Sequence, residues 1–141
     1  QLMQLIFYTL LTGCKSLTNL PELPEFSSLA TGCFYHMFQD CTALEKAPRL
    51  WAEFLEDYCC EGMFLNCTKL SSVTLFIDDP EMDESFPELY FLDWLNGAGT
   101  DKAVDSPQLY LGGGIYYYYN DHRDDCTNES LFPANWTVQS L

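Results

Sequence analysis

The apolar positions of this chain recur on a long period. Three stretches superimpose: Leu10-Leu11-Thr12-Gly13-Cys14-Lys15-Ser16-Leu17, Met37-Phe38-Gln39-Asp40-Cys41-Thr42-Ala43-Leu44, and Met63-Phe64-Leu65-Asn66-Cys67-Thr68-Lys69-Leu70. Their cysteines lie 27 and then 26 residues apart, and Cys33 and Cys59, each four residues ahead of a Met-Phe pair, are also 26 apart. Leu23 to Leu50 spans 27 residues but Leu29 to Leu55 spans 26, which places a one-residue insertion in the loop after Leu23. A unit this short cannot bury its apolar side alone, so such units stack and bring equivalent residues into register. From each repeat leucine the apolar positions step by three: Leu17, Leu20, Leu23; Leu44, Ala47, Leu50; Leu70, Val73, Phe76. That step places Phe76 in the interior beside Leu50. Pro21 and Pro48 lack an N–H, so the extended segment they interrupt should pair over only about three residues. Ahead of each cysteine, Cys33, Met37 and Phe38, and likewise Cys59, Met63 and Phe64, share one helical face. Thr31 and Asp57 stand where N-caps belong. The pattern therefore predicts a helical turn or two, a turn and a short strand per unit.

The run Cys33-Phe-Tyr-His-Met37-Phe38-Gln-Asp-Cys41-Thr-Ala-Leu44-Glu-Lys-Ala47-Pro48-Arg-Leu50 resembles the BspA-type leucine-rich repeats of Bacteroidetes surface proteins. Trp94-Leu95-Asn96-Gly97 and Phe132-Pro133-Ala134-Asn135-Trp136-Thr137-Val138 are similar to the tail motifs of that family, with Asn135 where the family has glycine. Asn suits that place because it also visits left-handed backbone geometry. The resemblance covers residues 10–76 and the two tail motifs, whereas 98–131 depart from it. It implies an α/β fold, a short right-handed leucine-rich-repeat solenoid with one short strand and one short helix per repeat. Residues 1–76 would hold about three repeats, the first degenerate. Residues 77–141 would form a β-rich C-terminal cap that carries a Tyr-rich insertion. Trp94 and Trp136 would close the last repeat with aromatic surface. The residues from Gln1 to Tyr8 read as an uncapped half repeat, which marks the N-terminal end as a place for preceding chain or self-association. The implied role is a non-catalytic adhesion or interaction module at a cell surface or outside the cell, with a lipid anchor on a longer precursor as one means of attachment. A structural spacer or assembly unit with no ligand of its own is the alternative.

Composition fits a folded chain of one domain. Of 141 residues 48% are apolar and 16% aromatic, enough to build a core. Twenty-one Asp and Glu against 6 Lys and Arg give a formal charge of -15, which repels phosphate backbones and anionic lipid. Nucleic acid and membrane surfaces are therefore not expected partners. No apolar run approaches the about 18 residues that a membrane span requires. Leu11-Thr12-Gly13-Cys14 has the form of a lipoprotein cleavage box, but no basic segment precedes it and the same residues begin the first repeat.

Candidate chemistry adds little. Seven cysteines cannot all pair within one chain, and they lack the C-x-x-C spacing of a zinc site. Cys41 and Cys67, one strand spacing apart in a stack, would point the same way rather than at each other, so buried free thiols are expected. His36 falls within a repeat segment and reads as an ordinary surface or half-buried histidine. His122 stands beside Asp121, Asp124 and Asp125, which reads as a solvated acidic loop. Asp78, Asp79, Glu81, Asp83 and Glu84 lack the grammar of a calcium loop, and Pro80 interrupts them. Gly112-Gly113-Gly114 lacks the lysine and the helix start that phosphate cradling needs. No catalytic residue, cofactor or metal is expected. Asn66, Asn128 and Asn135 sit in glycosylation sequons, and Asn66 reads more simply as a turn residue.

The residues one and two places after each repeat leucine should point outward. Thr18, Asn19, Glu45, Lys46, Ser71 and Ser72 are accordingly the candidate contacts to a protein or glycan partner. Their side chains share too little chemistry to name the ligand.

Overall fold

The computed structural model describes residues 11–79, 88–122 and 131–141. The strands are β1 (Phe26–Leu29), β2 (Leu50–Leu55), β3 (Ser72–Ile77), β4 (Gln108–Gly113) and β5 (Thr137–Ser140). Two helices are interspersed, α1 (Glu88–Phe91) and α2 (Gly114–His122). The strands form one sheet in chain order, β1-β2-β3-β4-β5, and every neighbouring pair is parallel. The fold is thus α/β, with a five-stranded parallel sheet and little helix.

Register follows the sequence period at first. Asn19 bridges to Lys46 and Lys46 to Ser72, while Phe26 pairs with Ala52 and Leu29 with Leu55. It then slips by one residue, because Leu50 pairs with Leu75 and not with Phe76. Pro48 accounts for the slip. With no N–H to offer, it cannot continue the ladder between the bridge at Lys46 and the start of β2, whereas β3 runs unbroken from Ser72. From Ser72 the period is two: Val73, Leu75 and Ile77 are buried, and Thr74 and Phe76 face outward. The expectation that Phe76 joins the interior column is corrected accordingly.

The segments ahead of the cysteines are not helices. Residues 31–40 and 57–66 are continuous runs of turns. Cys33, Tyr35, Met37, Gln39 and Cys41 each donate to the carbonyl three residues back, closing successive tight turns. The intervening amides of Gly32, Phe34, His36, Phe38 and Asp40 donate instead to Asp57, Cys59, Glu61, Met63 and Leu65 of the next unit. The pattern repeats one level on, where Cys60, Gly62, Phe64 and Asn66 donate to Tyr90, Leu92, Trp94 and Asn96. Positive φ recurs every four residues, at Gly32, His36 and Asp40 and again at Tyr58, Gly62 and Asn66. An α-helix needs right-handed dihedrals throughout and donors directed four residues back, so this geometry excludes it. The expected inward residues are nonetheless buried, Cys33, Met37 and Phe38 in one unit and Cys59, Met63 and Phe64 in the next.

The core lies between the sheet and this turn layer as one apolar cluster, in which Phe38 and Phe64 stack at 5.6 Å and 10°. The sheet crosses residue 76 without a break, since β3 pairs along its whole length with β4 and β4 with β5. Trp94 and Trp136 are buried at this C-terminal end, donating from their indole nitrogens to the carbonyls of Leu131 and Ala98. Asn135 is not left-handed as expected; its side-chain amide donates to the Ala98 carbonyl at 3.0 Å. The Tyr-rich stretch forms α2, which begins directly after β4 at the third of the three glycines, so the helix start expected to be missing is present. Gln1 to Tyr8 lie outside the described residues. Among the described residues no helix is long and apolar enough to cross a membrane.

Candidate interaction surface

The six outward residues come together. Glu45 donates to the Thr18 carbonyl, Ser71 to that of Glu45 and Gln108 to that of Ser71, which stacks the segments in register. Asn19, Lys46 and Ser72 form the adjacent column. Thr18, Asn19, Glu45, Lys46 and Ser71 are exposed and Ser72 is half-buried. The Ser71 hydroxyl is engaged by the Glu45 carbonyl at 2.9 Å, so it contributes shape more than a free donor. The column continues through Gln108 and Thr137. Ser106 and Thr137 share a hydroxyl contact of 3.1 Å, and the Gln139 side chain donates to that of Gln108.

Two further rows on the same face were not foreseen. Thr74, Tyr110 and Gln139 align in one. In the other, Trp51 stacks on Phe76 with centroids 4.0 Å apart, and the Arg49 guanidinium lies 5.3 Å from the Trp51 ring. Phe76 covers Gly112, where an added Cβ would lie 2.6 Å from its ring and 3.0 Å from Leu141. Alternation through Ser72-Val73-Thr74-Leu75 carried a signal for this row, but Phe76 is itself apolar and the three-residue step taken from the earlier repeats obscured it. Lys46 and Arg49 are two of the 6 cationic residues of a strongly acidic chain, and Glu45 stands beside Lys46 on the same face. Hydroxyls, amides, a cationic pair and flat apolar rings suit recognition of a mixed polar and apolar partner.

The other candidate groups are held locally. The Nδ1 atom of His36 lies 2.7 Å from Gln39 Oε1, and the His122 ring stacks on Tyr118 with its Nδ1 3.0 Å from the Tyr118 carbonyl. Asn66 is a left-handed turn residue, and its side chain donates to Asp40 at 3.1 Å. Asp78 is exposed and Asp79 is buried, whereas Glu81, Asp83, Glu84, Asp124, Asp125, Cys126 and Asn128 lie outside the described residues. Among the described residues no group of three or more His, Cys, Asp or Glu side chains is placed to hold a metal ion.

The six described cysteines are unbridged, and all but Cys14 are buried. Cys67 donates its thiol to the Phe38 carbonyl at 3.0 Å and Cys41 to that of Leu11 at 3.1 Å, each reaching back to the preceding unit. Burial, reinforced by the neighbouring thiol, pushes Cys33 and Cys67 from 9.0 up to about 12. Burial also raises Cys60, whose sulfur accepts from Cys59 at 3.7 Å. Above its ordinary value of 9.0 a thiol ionises in the unfolded chain, while the folded chain holds the proton until about 12. Stability from this source is therefore complete below that lower value and is lost as pH rises through the window. Each such thiol should cost about 1.4 kcal/mol per pH unit. Urea titrations across the window should record the decline, and Cys67→Ala should lessen its slope.

Comparison with protein-family models, with curated proteins and with solved structures returns no match.

Proposed function

We propose that the chain is a short right-handed solenoid of BspA-type leucine-rich repeats, a non-catalytic module that presents the outward face of its sheet to a protein or glycan partner at a cell surface or outside the cell. The supporting observation is the in-register strip Asn19, Lys46 and Ser72 with its exposed neighbours Thr18, Glu45 and Ser71. Stacked units make such a strip out of residues far apart in sequence, which is how repeat proteins assemble broad contact surfaces from small units.

The test is a binding screen of the chain against mammalian extracellular-matrix proteins and a glycan array, with a Thr18, Asn19, Glu45 and Lys46 to alanine variant alongside. These exposed positions should alter stability by no more than about 0.5 kcal/mol each. Loss of at least one wild-type binding signal in the variant, with its melting curve retained, is the expected result. A wild-type chain that binds nothing across both panels, or a variant that binds equally well, would remove the reading. In that case light scattering across concentrations would examine the assembly-unit alternative.

A further inference from the structure

A cleft of about 400 Å³ opens on the turn layer rather than on the sheet, lined by Thr31, Gly32, Tyr35, Tyr58 and Glu61. Its origin is a difference between two equivalent positions. Gly32 and Tyr58 lie 26 residues apart and both adopt positive φ, 65° and 59°. One position carries no side chain and the other a ring left 45% exposed, so the space beside Gly32 is walled by Tyr58 and not filled. Tyr35 and Glu61 are equivalent in the same way, and His36 packs edge-on against Tyr35 at 4.2 Å.

Two phenol rings line the cleft, and Glu61 adds a half-buried carboxylate beside them. Exposed Glu56 and Asp57 precede Tyr58 in the chain, and neither Lys nor Arg occurs from 16 to 45 or from 50 to 68. An anion would be repelled here, and a neutral apolar group would leave the carboxylate uncompensated. A soft alkylated cation satisfies both parts of the lining, since aromatic faces bind ammonium groups whose hydration is weak. The volume suits a small ligand group and not a folded partner.

We propose that this cleft binds an organic ammonium group of the N-methylated kind, as a free quaternary amine or as a methylated lysine side chain. It is independent of the sheet-face reading, with which it shares no residue.

Choline titrated into the 15N-labelled chain should produce saturable shifts confined to the amides around Thr31 to Tyr35 and Tyr58 to Glu61. The uncharged isostere 3,3-dimethylbutanol should bind about tenfold more weakly. A trimethyllysine peptide and its unmodified counterpart distinguish the two sources, because tighter saturation by the modified peptide assigns the cleft to a protein partner. Tyr58→Gly is the informative variant: it removes the ring and also relieves a left-handed backbone that tyrosine disfavours, so the fold is retained. It should lower choline affinity about tenfold, and Glu61→Gln should lower it severalfold. Absence of saturable shifts with choline and the methylated peptide, equal binding of dimethylbutanol, or full binding by Tyr58→Gly would each overturn the proposal.

Discussion

Phe64→Ala is expected to remove about 3–5 kcal/mol of stability, against the roughly 5–15 kcal/mol of a typical domain. Phe64 is 2% exposed and stacks on Phe38 in the centre of the core. Its loss creates a cavity that the surroundings cannot close. The Phe64 amide is bonded to the Trp94 carbonyl on one side, and the Phe38 amide is bonded to Met63 on the other. These ladders hold the three levels at a fixed separation, so the neighbouring side chains would have to fill the void without backbone help. Phe54, 52% exposed, supplies the control, and its alanine variant should stay within about 0.5 kcal/mol of the parent. Urea unfolding followed by circular dichroism measures both. A Phe64→Ala loss no greater than the Phe54 control would mean that the turn layer is not tightly packed against its neighbours.

The long period was legible because stacking gives equivalent residues equivalent surroundings, and selection for burial then repeats the same types. Cys41 and Cys67 match because both are buried and both donate to a carbonyl of the preceding unit. The outward columns were legible for the complementary reason, since the register of Asn19, Lys46 and Ser72 follows directly from the spacing of those cysteines. The turn layer was not. Apolar residues four apart return to one side in a helix, and they do so equally in a chain that reverses every four residues. What separates the two is backbone handedness, for which Gly32 and Gly62 and the favourable Asp40 and Asn66 were the available clues. His36 and Tyr58 in the same columns concealed it. The slip after Pro48 was hidden differently: on the later unit it falls between Ser72 and Leu75, downstream of Cys67, so the cysteine spacing does not register it, and Phe76 is apolar on either face. The aromatic row of the candidate surface was lost with it.

Gly113→Ala is expected to be nearly as damaging as the core substitution, by about 3–5 kcal/mol, through the backbone rather than through lost apolar surface. Gly113 ends β4 opposite Ile77 with φ at 73°. An added Cβ would lie 2.1 Å from the Ile77 carbonyl oxygen and 2.7 Å from its carbon. Both atoms belong to the paired strand, so relief requires β3 and β4 to part at the point where the chain enters α2. Gly13 separates the two contributions, because its φ of 74° is almost the same but an added Cβ meets nothing within 4 Å. Gly13→Ala should therefore show only the left-handed penalty, about 1–2 kcal/mol. Gly112→Ala should fall between them, since the Cβ there meets the Phe76 and Leu141 side chains, which can turn aside. Thermal melts of the three variants should rank them in that order. Equal effects at Gly113 and Gly13 would show that β3 and β4 are not in close contact at this end, and would break the continuity of the sheet from β3 onward.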